Sequence, residues 1–91
     1  EIGESTILKA ASNVSHHVKI GRLCYLSVES VVGAYVQVGK CSDISMGAKV
    51  LEKRKVGEYA IAGAASLVTK DIGDMEIHIG IPAKFFKKID N

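Results

Sequence analysis

The chain has 91 residues, no tryptophan, a single proline and only two cysteines. Cys24 and Cys41 stand in neither metal nor redox spacing, so they read as packed or surface thiols in a reducing compartment. A cytoplasmic location is expected. No apolar run reaches the roughly 20 residues of a membrane helix, and no stretch has the charge-and-apolar plan of a signal peptide. Charge of one sign is also missing: 12 Lys and Arg balance 10 Asp and Glu. That argues against a general nucleic-acid binder. The local cluster Lys49, Lys53, Arg54 and Lys55 could attract a phosphate, and a solvated corner is its simpler reading.

What is present is a period of six. Ile2, Leu8, Val14, Ile20, Leu26, Val32, Val38, Ile44, Val50, Val56, Ala62 and Val68 are evenly spaced, and the residue after most of them is small. Neither a helix nor a simple strand has this period. It marks hexapeptide repeats wound into a prism. Gly3, Gly21, Gly39 and Gly57 form one column, so three hexads make a coil. The expected coils are 2–19, 20–37, 38–55 and 56–73, stacked about 4.8 Å apart. Small residues are expected where a Cβ would crowd the next coil or where φ turns positive. Glu4, Arg22, Lys40 and Glu58 fall in one outward column with opposite charges adjacent. Arg54 sits where a small residue belongs, so that corner loops outward or its side chain reaches past its neighbours.

The period stops near Gly73. Two units are expected, 1–73 as the β-helix and 74–91 as a C-terminal tail, with a short helix over Phe85–Ile89 capping the open end. So short a prism buries little surface, and each coil touches only its neighbours. Oligomerisation is expected, as three prisms side by side. The chain starts at Glu1, already inside a hexad, so an N-terminal region is expected to be missing.

The hexads, with the ending Gly80-x-Pro82-Ala83-Lys84, resemble the left-handed β-helix acyltransferases. The fold class expected is all-β, a single-stranded left-handed parallel β-helix of about four coils. The stretch Val14-Ser15-His16-His17-Val18-Lys19-Ile20-Gly21, with Leu26-Ser27, resembles the sugar O- and N-acetyltransferases, including those acting on nucleotide-linked amino sugars. The resemblance implies acetyl-CoA as co-substrate, a sugar amine or hydroxyl as acceptor, and His16 as catalytic base. It also implies that Tyr25, Met46 and Ala64 contact acetyl-CoA, and that Lys84, with Lys70, meets its phosphates. Two positions depart from the family. His17 stands where a carboxylate is usual, and Tyr25 where a second histidine is common. The family's N-terminal nucleotide-sugar domain is absent from this sequence.

Acetyl transfer from a thioester needs a base, an oxyanion donor and a holder for the thioester. Histidine suits the first role because its free pKa lies near 6.5. His16 falls at a corner, one coil before Ala34, whose small side chain leaves a groove and whose backbone N–H can serve the oxyanion. Glu52, two coils from His16, is about 10 Å away, too far to orient it, whereas in a trimer a carboxylate such as Glu29 or Asp43 of a neighbouring subunit could. No metal is expected. His16, His17 and His78 are the only histidines, and adjacent strand residues point to opposite faces. That weakens the rival reading as a γ-class carbonic-anhydrase-like protein. The other rival is a non-catalytic β-helix scaffold, since fold does not imply function.

Overall fold

The computed structural model describes residues 1–89. The first hexad contributes a bridge, Ile2 to Ile20, and each later one a two-residue strand: β1 (Ile7–Leu8), β2 (Asn13–Val14), β3 (Lys19–Ile20), β4 (Tyr25–Leu26), β5 (Val31–Val32), β6 (Gln37–Val38), β7 (Asp43–Ile44), β8 (Lys49–Val50), β9 (Lys55–Val56), β10 (Ile61–Ala62) and β11 (Leu67–Val68). Longer strands β12 (Glu76–Gly80) and β13 (Ala83–Lys88) follow, and the described residues contain no helix. Strands pair in parallel with the strand three further on, as in Ile7↔Tyr25, Asn13↔Val31 and Lys19↔Gln37. The result is a left-handed β-helix with three faces. The first carries β1, β4, β7, β10, β12 and β13, the second β2, β5, β8 and β11, the third β3, β6 and β9.

Alternation along each short strand sends its second residue inward. Leu26, Val32, Val38, Ile44, Val50, Val56, Ala62 and Val68 are thereby buried. The first coil differs because no described residue stacks below it: Leu8 is 43% exposed, whereas Leu26 above it is fully buried. The residues before each strand form a second inward set. Thr6 Oγ1 donates to Gly21 O at 2.9 Å and accepts from Cys24 N at 3.2 Å. Ser42 Oγ donates to Gly57 O and accepts from Ala60 N at 3.1 Å. Cys24 Sγ reaches Gly39 O at 3.2 Å, which gives this packed thiol a partner, and burial pushes it up from its ordinary value.

The glycine column is vertical, for one of the two expected reasons. A Cβ on Gly39 would lie 2.7 Å from Glu58 N and 2.7 Å from Gly57 C, and Gly21 meets Lys40 in the same way. Positive φ falls elsewhere, two residues on. Ser5, Ala11, His17, Leu23, Glu29, Tyr35, Cys41, Lys53, Tyr59 and Ala65 hold φ between 56 and 63°, and Gly47 is the glycine at such a corner. These corners face outward, so a Cβ there meets only its own backbone. In the Glu4, Arg22, Lys40, Glu58 column, no ion pair forms among the described residues.

The fourth coil is shorter than expected. Ile72 bridges Val56, and Gly73 stacks on Gly57, so this coil closes in two residues fewer than the others. No outward loop forms at Arg54. Its half-buried side chain reaches past its neighbours at the shortened corner, where the guanidinium approaches Asp71 at 4.0 Å. Winding then continues past Gly73, with Ile77 on Ile61 and His78 on Ala62. The expected C-terminal helix is replaced by a hairpin. The chain turns at Ile81–Pro82, a cis peptide, and β13 returns antiparallel on β12. The β-favouring apolar residues fit a strand here, and the hairpin pairs the edge of β10 that a helix would leave bare.

His78 thus occupies the top of a core column, and its side chain is 12% exposed. Its Nε2 lies 2.9 Å from Glu76 Oε1, and Phe85 stands edge-on at 5.9 Å. Glu76 also accepts from Gly73 N at 3.0 Å and lies 3.6 Å from Lys88 Nζ. The hydrogen bond from His78, helped by that from Gly73, holds the Glu76 carboxyl below its usual 4.5.

Two outcomes follow from this geometry. Gly39→Ala should cost about 3 kcal/mol in urea unfolding, because the opposing atoms are backbone and cannot yield. Gly47→Ala, at an outward corner where Ala11 and Ala65 already sit, should cost only about 1 kcal/mol. The depressed Glu76 carboxyl stabilises the folded state fully above pH 4.5, and this contribution is lost as pH falls through its lower folded value. Amide protection factors across 76–88 should therefore fall at acid pH, and Glu76→Gln should remove that dependence.

Candidate functional site

The corner between the second and third faces carries the two adjacent histidines. His16 and His17 occupy a turn between β2 and β3, so the alternation rule for strands does not apply. His17 is left-handed at φ 57°. Its ring folds back beside its neighbour, and the two Nδ1 atoms lie 2.9 Å apart. The expectation that adjacent histidines point apart is therefore corrected. Above them, Tyr35 stacks on His17 with ring centroids 4.9 Å apart and planes 9° from parallel. It stands edge-on to His16 at 5.5 Å. Sequence reasoning missed Tyr35, although the eighteen-residue register places it directly over His17.

Ala34 stands over His16, as the register requires. The corner rung there uses Tyr35 N–H, which donates to His16 O at 3.2 Å. No bond of the Ala34 N–H occurs among the described residues. A cleft of about 310 Å³ opens beside the corner, lined by Glu1, His17, Val18, Lys19, Tyr35 and Gln37.

The other expected residues lie elsewhere. Met46 and Ala64 stack at the corner between the first and second faces, where Ala65 N donates to Met46 O at 2.8 Å. Met46 is 59% exposed. Tyr25 points outward from β4 on the first face, beneath Asp43. Lys84 is exposed on β13, opposite Ile79. Lys70 is exposed on the shortened corner above the histidines. A single chain therefore unites His16 with Ala34, and Met46 with Ala64, but keeps the two pairs at different corners.

Neither histidine ring at this corner pairs with a carboxylate among the described residues. Glu29 lies at the corner of Met46, and Asp43 on the first face. Asp43 is half-buried, with one carboxylate oxygen enclosed and unpartnered. Burial pushes its carboxyl up, and a Ser45 hydrogen bond offsets part of that. Among the described residues, no three His, Cys, Asp or Glu side chains converge to hold a metal.

The fold and its hexad register define a hexapeptide-repeat β-helix. The proteins it is similar to are acetyltransferases of that architecture. A serine acetyltransferase from Buchnera aphidicola is 32% identical over 90 residues, which is 99% of this chain and 33% of that protein. Perosamine N-acetyltransferase from Caulobacter crescentus, solved as a histidine-to-asparagine variant with CoA and GDP-perosamine, superposes with a TM-score of 0.93 at 30% identity. That match covers 96% of this chain and 41% of the enzyme. Neisseria gonorrhoeae serine acetyltransferase shares the fold, with a TM-score of 0.95 at 20% identity over the whole chain and 39% of the enzyme. The chain spans about a third of the curated relative it matches over nearly its full length. No protein-family model matches it.

Proposed function

We propose that the chain is the acetyl-transferring part of an acetyl-CoA-dependent acetyltransferase, with His16 as general base and a sugar amine or hydroxyl as acceptor. The observation that carries this reading is an exposed histidine, braced by His17 and Tyr35 on a stiff corner, one coil below Ala34, whose backbone amide is unbonded. The likeness to CoA-dependent enzymes supports the donor. For the acceptor, GDP-perosamine in a neighbour favours a sugar amine. The similarity to a serine acetyltransferase supports a small hydroxyl acceptor as the second reading.

The reaction follows from these groups. His16 takes the proton of the acceptor amine or hydroxyl as its lone pair attacks the thioester carbon. The carbonyl oxygen becomes an oxyanion, which the Ala34 N–H stabilises as a fixed donor. The intermediate collapses, the carbon–sulfur bond breaks, and the proton on His16 passes to the departing thiolate. Acetylated acceptor and free CoA thiol result, and the imidazole returns to its starting form. Met46 and Ala64 would border the pantetheine arm, Tyr25 would donate a hydrogen bond, and Lys84 and Lys70 would meet the phosphates.

His16 and Met46 lie at different corners, so a CoA molecule touching both is best served by two copies of the chain. The apolar surface agrees. Ile7, Tyr25, Val28 and Met46 are 49, 37, 38 and 59% exposed along the first face and its edge. A stripe of this kind marks an interaction surface. A homotrimer of parallel prisms would cover it, and a cytoplasmic location would supply acetyl-CoA.

In a thiol-release assay with nucleotide-linked amino sugars and with serine, His16→Ala should lower kcat about 10²–10⁴-fold and leave calorimetric CoA binding intact. Background turnover unchanged by the substitution would instead mark a scaffold. Sedimentation equilibrium should return three times the chain mass, and Met46→Glu should lower it. A monomer that binds CoA would refute the shared cleft.

A further inference from the structure

Two imidazoles that meet through like atoms cannot be equivalent. His16 Nδ1 and His17 Nδ1 lie 2.9 Å apart, so one carries a hydrogen and the other a lone pair. A neutral imidazole holds one hydrogen. The ring that donates from Nδ1 therefore has a bare Nε2, and the ring that accepts keeps hydrogen on Nε2. One shared hydrogen makes the corner a base and a donor side by side.

We infer that His17 is the positioning residue for His16: it accepts the His16 Nδ1–H, holding His16 in the tautomer whose Nε2 takes the acceptor's proton. The inference deepens the proposed function and rests on His16 being the base. His17 is the more firmly held ring. Its backbone is fixed in the left-handed region, and its face lies flat on Tyr35. Tyr35 is itself tied to His16 by the corner rung, its N–H donating to His16 O at 3.2 Å. Its edge-on contact with His16, planes 85° apart, limits the rotation of that ring too.

The direction of the hydrogen bond has a chemical consequence. When His16 takes a proton at Nε2, its Nδ1–H becomes a charge-assisted donor to His17, and such bonds are roughly twice as strong as neutral ones. The bracing therefore strengthens as positive charge develops. His17, unlike His16, lines the cleft with Lys19, Tyr35 and Gln37. Its Nε2–H adds a donor to that wall, suited to an acceptor oxygen on a sugar or amino acid.

The test joins ¹⁵N-imidazole NMR to kinetics on the full-length protein. His16 should carry its hydrogen on Nδ1 in the wild type, shift to Nε2–H in His17→Ala, and return to Nδ1–H in His17→Asp. The kcat of His17→Ala should fall roughly 10- to 100-fold, the range of one charge-assisted hydrogen bond, with KM for acetyl-CoA unchanged, and His17→Asp should restore it. Alanine already occupies this corner position at Ala11 and Ala65, so the variant should fold. Tautomer populations need no turnover, which separates the two readings. A wild-type His16 with hydrogen on Nε2, or one indifferent to His17→Ala, overturns the His17 assignment. Full activity of His16→Ala overturns the base.

Discussion

Each coil hangs from the next by backbone hydrogen bonds, and at the glycine column these leave no room for a side chain between coils. Gly21 N–H donates to Val38 O, Gly39 N–H to Val56 O and Gly57 N–H to Ile72 O, all at 2.8 Å. These rungs fix the vertical spacing and put the glycine Cβ positions against backbone atoms of the next coil. Everything else inherits that register. Apolar columns fill the prism because the rungs align them, and each corner repeats at fixed height. An exposed side chain on such a corner is positioned by the core beneath it, without a loop of its own.

The same constraint explains how the winding ends. Where the fourth coil contracts and the winding ends, N–H donors fall outside the regular rungs, and buried or shielded donors need other partners. Carboxylates supply them: Asp71 accepts from Lys55 N at 2.9 Å, Asp74 from Glu58 N at 2.8 Å, and Glu76 from Gly73 N. The two-residue contraction of the fourth coil brings Asp71 over β9, and the β12–β13 hairpin seals the first face. The ending is polar because its task is to satisfy backbone. His78 tops an apolar column, with its ring tied to the Glu76 carboxylate.

Much of this was legible in the period of six. The inward columns, the glycine column and the placing of His16 beneath Ala34 all follow from counting eighteen. Counting fails where the length of a coil changes, and so the contraction before Ile72 and the winding beyond Gly73 were not foreseen. The C-terminal hairpin was missed for another reason. Residues 83–88 alternate too weakly to show a strand, and the ladder offered by β10 decides their conformation. Positive φ is invisible in composition when the corners carry Leu23, Tyr35 or Tyr59 as readily as glycine. Tyr35 itself could have been found, because the register that put Ala34 over His16 also puts Tyr35 over His17.

The candidate site was read in pieces, and the pieces lie apart for a geometrical reason. A prism has three corners, and a rigid one cannot bend two of them together. The positions matched to acetyl-CoA contact divide between the corner of His16 and the corner of Met46, with Tyr25 on the adjoining face. A ligand long enough to touch both corners of one chain would have to cross the second face. A neighbouring prism would instead set its own Met46 corner opposite His16, making a slot with two stiff walls. The exposed apolar stripe along the first face gives such a neighbour a reason to dock, since it would remove Ile7, Tyr25 and Met46 from water. Stiffness that prevents one chain from closing a site around a long substrate makes assembly the direct route to one.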